Sequence, residues 1–418
     1  LTSLAAIGIG GGGVGYWQRR RLRRRDDVAA IESALDIGRP TLPEPVSVRP
    51  EHAVGSYERA KEHVSETERL RADAGGSFDS GSGSGDMLER ARNDLEGHAP
   101  GTLDDDATRL DALEAYRLAI ARSATVRGRL YGGDRTAPSP ELRRRIDAFE
   151  ADLEAFDPEY RGEGVSETLV QCAEADERLI DARSDLDTAA RMAGDERYSN
   201  DVAWEQAAVG ATRLYDARQF LRDRAGPDRA DALESTLDRL TAWIGDAIDG
   251  MDWRYEGEHP SYAVTRYRDV GLAEPVDPRQ DPGPGRLASA VRSRAREATV
   301  VATLGRFPDV PARHRWADLG YELGTDAGTL TEAKAAAVGA IEATAATVGP
   351  DPLGRWLLSE ILGAVESADR RLGRLVEEPN DGSERRWASE RDRAILEYGA
   401  ASAEAEAVPG VLERVAES

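Results

Sequence analysis

The sequence predicts an all-α protein: an elongated or two-part helical bundle, or coiled-coil-like array, behind one N-terminal membrane helix. Three observations predict it. Apolar residues recur at steps of three and four through most of the 418 residues, the spacing that lines one face of a helix. No run of branched apolar residues reads as a strand, so the sheet classes find no support. The first 17 residues carry no charge and end in Tyr16-Trp17, just before a block of arginines. Apolar stretch, interfacial aromatics and then cations is the order of a membrane anchor.

Composition narrows the class further. Hydrophobic residues at 40% can fill a core, and a single cysteine, Cys172, rules out an internal disulfide. The 78 acidic residues against 55 basic ones give a formal charge of −23, and only Lys61 and Lys334 among the basic residues are lysines. Such a chain repels itself at low salt, whereas in molar salt the Debye length falls to about 3 Å and the repulsion is screened. The composition is therefore that of an extreme halophile's protein. Nucleic acid is not expected as a partner, because phosphate contacts need clustered cations.

Along the chain, residues 1–25 read as a transmembrane anchor with a basic flank. Seventeen helical residues span about 26 Å, slightly less than the roughly 30 Å hydrocarbon core. Tyr16, Trp17, Arg19, Arg20, Arg21, Arg23, Arg24 and Arg25 would sit at the membrane interface, and the positive-inside rule places the body in the cytoplasm of a single-pass protein. Without those six arginines the charge moves from −23 to −29, so the positive block is sharply local. A secretory signal would instead put its positive charge before the apolar run. Because residue 1 is Leu and not Met, the true start is left open. Gly8, Gly10 and Gly13 satisfy the GxGxxG spacing, but a dinucleotide fold needs further parallel strands that the rest of the chain does not offer.

Residues 26–50 read as a short helix over 26–38 followed by a spacer stiffened by Pro40, Pro43, Pro45 and Pro50. A helical bundle is expected over 51–274, interrupted by a flexible Gly/Ser insert at 75–85, and a second bundle over 286–418 beyond a Pro/Gly-rich break. Leu142, Ile146, Phe149, Leu153 and Phe156 form one seam behind Ser139-Pro140, an N-cap and a first-turn proline. Leu233, Leu237, Leu240, Ile244 and Met251 form another, and Leu357, Ile361, Ala364, Ala368 and Leu375 a third. Cys172, Leu179, Leu186 and Ala193 fall seven apart, which makes Cys172 a small core residue. The tryptophan spacing hints at a repeat but does not hold as far as Trp387.

Signals for chemistry are sparse. His52 and His63 lie eleven apart on one early helix, and no histidine pair has the i, i+3 or i, i+4 spacing of metal ligands. No catalytic residue, metal or cofactor is expected. Two patches exceed background. Arg292, Arg294 and Arg296 make a basic helix, read as pairing with acidic neighbours or as a docking face. Trp253, Arg254, Tyr255, Tyr262, Arg266, Tyr267 and Arg268 mix aromatics with arginines, the composition of interface hot spots, and are the candidate binding residues.

In the order of its segments alone, one N-terminal membrane helix and then a string of cytoplasmic helices, the chain resembles the bacterial septation-ring regulators. That resemblance implies structural work at the cell envelope. The expected function is a membrane-anchored cytoplasmic scaffold or adaptor acting by protein–protein binding. The alternatives are a ligand-binding or sensory helical domain and, behind it, a helical-bundle hydrolase. Membrane lipid and an unidentified protein are the expected partners, with homo-oligomerisation open.

Overall fold

A computed structural model describes residues 28–75, 83–131, 138–156, 164–221, 228–249, 284–305, 329–377 and 384–416. Every regular element among them is helical, so the all-α expectation holds. In chain order they are α1 (28–35), α2 (Pro50–Ala74), α3 (Ser84–Gly97), a single 3-10 turn at Pro100–Thr102, α4 (Asp106–Tyr131), α5 (Pro140–Glu154), α6 (Val165–Ala193) and α7 (Asn200–Phe220). They continue with α8 (Asp228–Asp249), α9 (Pro284–Gly305), α10 (Leu330–Val348), α11 (Pro352–Glu377) and α12 (Glu384–Ala416). The expected anchor at 1–25 lies outside the described residues. No helix among those described is long and apolar enough to cross a membrane.

Local chemistry explains where the helices begin and end. Ser139 accepts a hydrogen bond from the Leu142 amide at 3.0 Å with Pro140 in the first turn of α5, as its sequence signature requires. Thr329 caps α10 in the same way, accepting from the Glu332 amide at 3.2 Å while its hydroxyl donates to the Glu332 carboxylate at 2.9 Å. Two helices stop at glycines in a left-handed backbone, α2 at Gly75 (φ 75°) and α10 at Gly349 (φ 63°), a conformation that a Cβ would oppose.

The chain divides into two compact units, one made of Pro43–Leu237 with Pro275–Arg292 and the other of Leu1–Leu42, Asp238–Glu274 and Ser293–Ser418. In the first unit α7 packs on α6 and on α4, α4 also carries α2 and α3, and α5 lies on α6 and α7. The expected α5 seam is the centre of its core: Leu142, Ile146, Phe149 and Leu153 pack with Leu179 and Leu186 of α6 and with Trp204 and Leu214 of α7. Cys172 is wholly buried, as its heptad register implies. Gly128 sets the approach of α4 to α7, since a Cβ there would lie 2.3 Å from the Asp201 Cα. The proline-rich stretch is pinned at its end: Val46 and Val48 are buried, the Val48 amide donates to Asp106 at 2.9 Å, and Gln171 donates to the Ser47 carbonyl at 3.2 Å.

In the second unit α12 packs on both α10 and α11. Leu357, Ile361, Ala368 and Leu375 face inward, joined by Val365 and Leu372. A buried polar cluster crosses this bundle: Lys334 donates to Asp369 at 3.0 Å and the Tyr398 hydroxyl donates to the same carboxylate at 2.6 Å. The basic helix α9 resolves into internal ion pairs. Arg292 pairs with Glu177 inside the first unit, while Arg294 pairs with Glu297 and Arg296 with Glu404 inside the second. All three arginines are buried, so their charges are spent within the fold and do not form a docking face.

Candidate functional site

The aromatic and arginine residues singled out from sequence, Trp253, Arg254, Tyr255, Tyr262, Arg266, Tyr267 and Arg268, lie outside the described residues, as do Tyr16, Trp17 and the six arginines after them. The described residues offer a different site. A cavity of about 220 Å³ opens in the first unit where α2, α4, α5 and α7 meet. Its polar side is Arg59 and His63 of α2, Arg127 of α4, and Arg145 and Asp152 of α5. Its apolar side is Phe149, Trp204 and a set of alanines, Ala124, Ala148, Ala207, Ala208 and Ala211. The space exists because these wall positions are alanine; longer side chains there would fill it. A second hollow, of about 670 Å³, shares His63 and Arg145 and is otherwise lined by Glu62, Ser65, Glu66 and Arg69.

Helical spacing delivers the polar side. Arg59 and His63 are four apart on α2, hence stacked on one face, and the alanines Ala207, Ala208 and Ala211 share a face of α7. Arg127 is held rigidly: its Nε donates to Thr67 at 2.7 Å and its Nη2 donates to the His63 carbonyl at 3.0 Å and pairs with Glu66 at 2.7 Å. Those bonds use Nε and Nη2, and Nη1 takes part in none of them. Arg145, at the rim, pairs with Glu141 at 3.3 Å.

Arg59 is different. Its guanidinium lies 4.1 Å above the centre of the Tyr215 ring, and Gly55, one turn earlier, leaves the room that the Tyr215 hydroxyl occupies. Among the described residues Arg59 has no ion pair and no hydrogen bond. Burial pushes its pKa below the ordinary arginine range, against the opposing pull of Tyr215 beneath it and of Asp216 and Glu62. A partly desolvated cation whose contact partner is a ring and not a carboxylate keeps no ion pair or hydrogen bond to offset the loss of water. His63 shows the same field: burial first, then Arg127, Arg59 and Arg145, hold its pKa down to about 3, so the imidazole is neutral at any ordinary pH. Trp204 is 5% exposed, its ring is stacked on Tyr131 with centroids 5.8 Å apart, and its buried indole Nε1–H has no hydrogen-bond acceptor. In a chain of net charge −23, the cavity gathers four cationic or basic side chains, Arg59, His63, Arg127 and Arg145, against one acid, Asp152, beside an apolar side. Such an arrangement can hold an anion.

A family model described as a domain of unknown function (DUF8264) matches residues 139–417. The chain belongs to that family. No curated protein and no solved structure matches it. The match begins at the N-cap of α5, so the family region supplies Arg145, Phe149 and Trp204 to the cavity, while Arg59, His63 and Arg127 come from helices that precede it.

The cavity was only faintly signalled in the sequence. The eleven-residue spacing of His52 and His63 is three helical turns and puts both on the inward face of α2, where His52 is buried against Asp216 at 2.8 Å. Nothing in the sequence brings Arg127 or Trp204 to them. Among the described residues no cluster of three or more His, Cys, Asp or Glu could hold a metal.

Proposed function

We propose that this protein works by binding, and that its first unit is a receptor for a small organic anion, making it a ligand-binding or sensory helical protein. The observation that carries the reading is Arg59, a half-buried guanidinium on the wall of a cavity, stacked on the Tyr215 ring with no carboxylate within ion-pair distance. An anion seated there would supply the missing partner, and the Arg127 Nη1 group would supply a further donor. The test is thermal unfolding of the full chain at constant molar KCl with organic carboxylates or inorganic phosphate added. Binding to the folded state alone raises the melting temperature by mass action. At least one anion should raise it in the wild type and leave Arg59→Gln unmoved; no shift with any of them refutes the reading.

The body is proposed to stand in the cytoplasm behind an anchor at residues 1–25. Deleting those residues should move the protein from the membrane to the soluble fraction with its helicity intact. The scaffold reading is retained on one observation: Tyr131, Tyr198 and Val202 are exposed at the end of the first unit where Gly128 of α4 meets Asp201 of α7. In concentrated salt an interface leans on apolar contact, which screening does not weaken. Replacing Tyr198 and Val202 by serine should then abolish retention of a specific protein partner in molar KCl while leaving the melting temperature unchanged.

A further inference from the structure

Resting on the anion-binding reading, we infer that the ligand is an aromatic carboxylate, held with its carboxylate against Arg59 and Arg127 and its ring against Phe149 and Trp204. Charge alone cannot select a ligand in the solvent this composition implies. At molar salt, attraction between ions is screened within about 3 Å, and chloride outnumbers any metabolite at every exposed cation. A site that depended on arginine charge would hold chloride. Selectivity must come from what chloride lacks, which is apolar surface and a hydrogen-bond acceptor pattern wider than one atom.

The cavity offers both. Its apolar side of Phe149, Trp204 and small alanines brings two aromatic side chains to the cavity, Trp204 backed by the Tyr131 ring stacked on it, and aromatic side chains favour a ring in stacked or edge contact. Apolar contact of that kind is not weakened by salt and is strengthened by strongly excluded anions. A volume of about 220 Å³ exceeds the roughly 150 Å³ that accepts a benzene ring in an engineered cavity, leaving room for one carboxyl group. The donors match a carboxylate better than a tetrahedral anion. Arg127 has Nη1 uncommitted with its plane fixed by Thr67 and the His63 carbonyl, and guanidinium and carboxylate are complementary planar groups. His63, neutral beside three arginines, adds a donor without adding a charge that chloride could neutralise.

The arrangement also carries a signature that separates a binding residue from a structural one. A cation kept for the fold stabilises the empty protein, whereas one kept for a ligand burdens it. Arg59→Met should therefore lose binding while the ligand-free protein melts at the same temperature or higher. Ala208→Leu, which fills the apolar side, should lose the ring and keep the charge.

The experiment is isothermal titration of the full chain in molar KCl with benzoate, indole-3-acetate, cyclohexanecarboxylate, acetate and inorganic phosphate. The aromatic acids are expected to bind at least about tenfold more tightly than acetate or phosphate and more tightly than cyclohexanecarboxylate. Arg59→Met should abolish the heat without lowering the ligand-free melting temperature, and Ala208→Leu should remove the preference for the aromatic acids. Equal affinity for acetate or phosphate and benzoate overturns the aromatic assignment and leaves the anion site standing. Equal affinity for cyclohexanecarboxylate overturns the aromatic preference alone. No heat with any probe overturns both. A large drop in the melting temperature of ligand-free Arg59→Met would show that this arginine serves the fold, and overturns the assignment of the carboxylate to it.

Discussion

Acid should weaken the first unit through one imidazole. His63 titrates at its ordinary 6.5 in the unfolded chain and at about 3 when folded, because burial and then Arg127, Arg59 and Arg145 oppose its charge. Between those values the unfolded chain binds a proton that the folded chain refuses, so stability falls as the pH drops from 6.5 toward 3. From the two values the loss at pH 5 relative to pH 7 is up to about 2 kcal/mol. The carboxylates that line the two hollows, Glu62, Glu66 and Asp152, lower the cost of protonation while they stay ionised. The assay is urea unfolding at constant molar KCl, read by hydrogen exchange in α2 and α4 at pH 7 and pH 5, for the wild type and for His63→Gln. The wild type should lose about 2 kcal/mol more than the variant between the two pH values. Equal losses would show that the imidazole is solvated or paired in the folded state, and would refute the account of the cavity's positive field. An anionic ligand supplies charge of the opposite sign, so binding at pH 5 should be accompanied by proton uptake that His63→Gln lacks.

Other expectations follow from packing and charge. Gly128→Ala would place a Cβ 2.3 Å from the Asp201 Cα; backbone cannot yield as a side-chain tip can, so urea unfolding should show a loss of about 3 kcal/mol or more. Cys172 is buried, and burial followed by the Asp176 charge raises its pKa to about 12. A thiol reagent should therefore label it slowly in the native protein and fast in denaturant, and equal rates would place it at the surface. Lys334→Met removes the closer of two cations from buried Asp369, leaving Arg39 at 3.7 Å, and should destabilise the second unit by about 2–3 kcal/mol, whereas Lys334→Met with Asp369→Leu should recover part of the loss, as calorimetry can measure. Dialysis from molar KCl to tens of millimolar salt should reduce the helical circular dichroism signal, since a charge of −23 then repels itself over longer distances.

How far each feature could be read from the chain depended on its range. The α5 seam and its Ser139-Pro140 start were legible because a helix writes its buried face and its cap into neighbouring positions, and both are found as expected. Cys172 was legible for the same reason, from leucines at intervals of seven on α6. The basic stretch of α9 was ambiguous: its periodicity could not say whether Arg292, Arg294 and Arg296 faced solvent or acids, because Glu177 and Glu404 lie far from them in sequence. The cavity was the least legible. His63 was visible only as a histidine eleven residues from His52 on one helix, a spacing that carries no signal for a ligand site.

The amino-acid sequence by itself determined the helical class, the seam of α5 and its Ser139-Pro140 cap, and the acidic balance of the chain. These follow from spacing within a turn or two and from composition, which are local or global sums that need no coordinates. Tertiary structure alone decided, among the described residues, that the α9 arginines are paired and that Arg59 is not. More than fifty arginines compete for acids in this chain, and whether one finds a partner depends on helices distant in sequence meeting at one edge. Arg296 meets Glu404 and is neutralised, whereas Arg59 meets the Tyr215 ring and the wall of a cavity. That difference is a matter of a few ångströms in three dimensions, and no pattern along the chain records it.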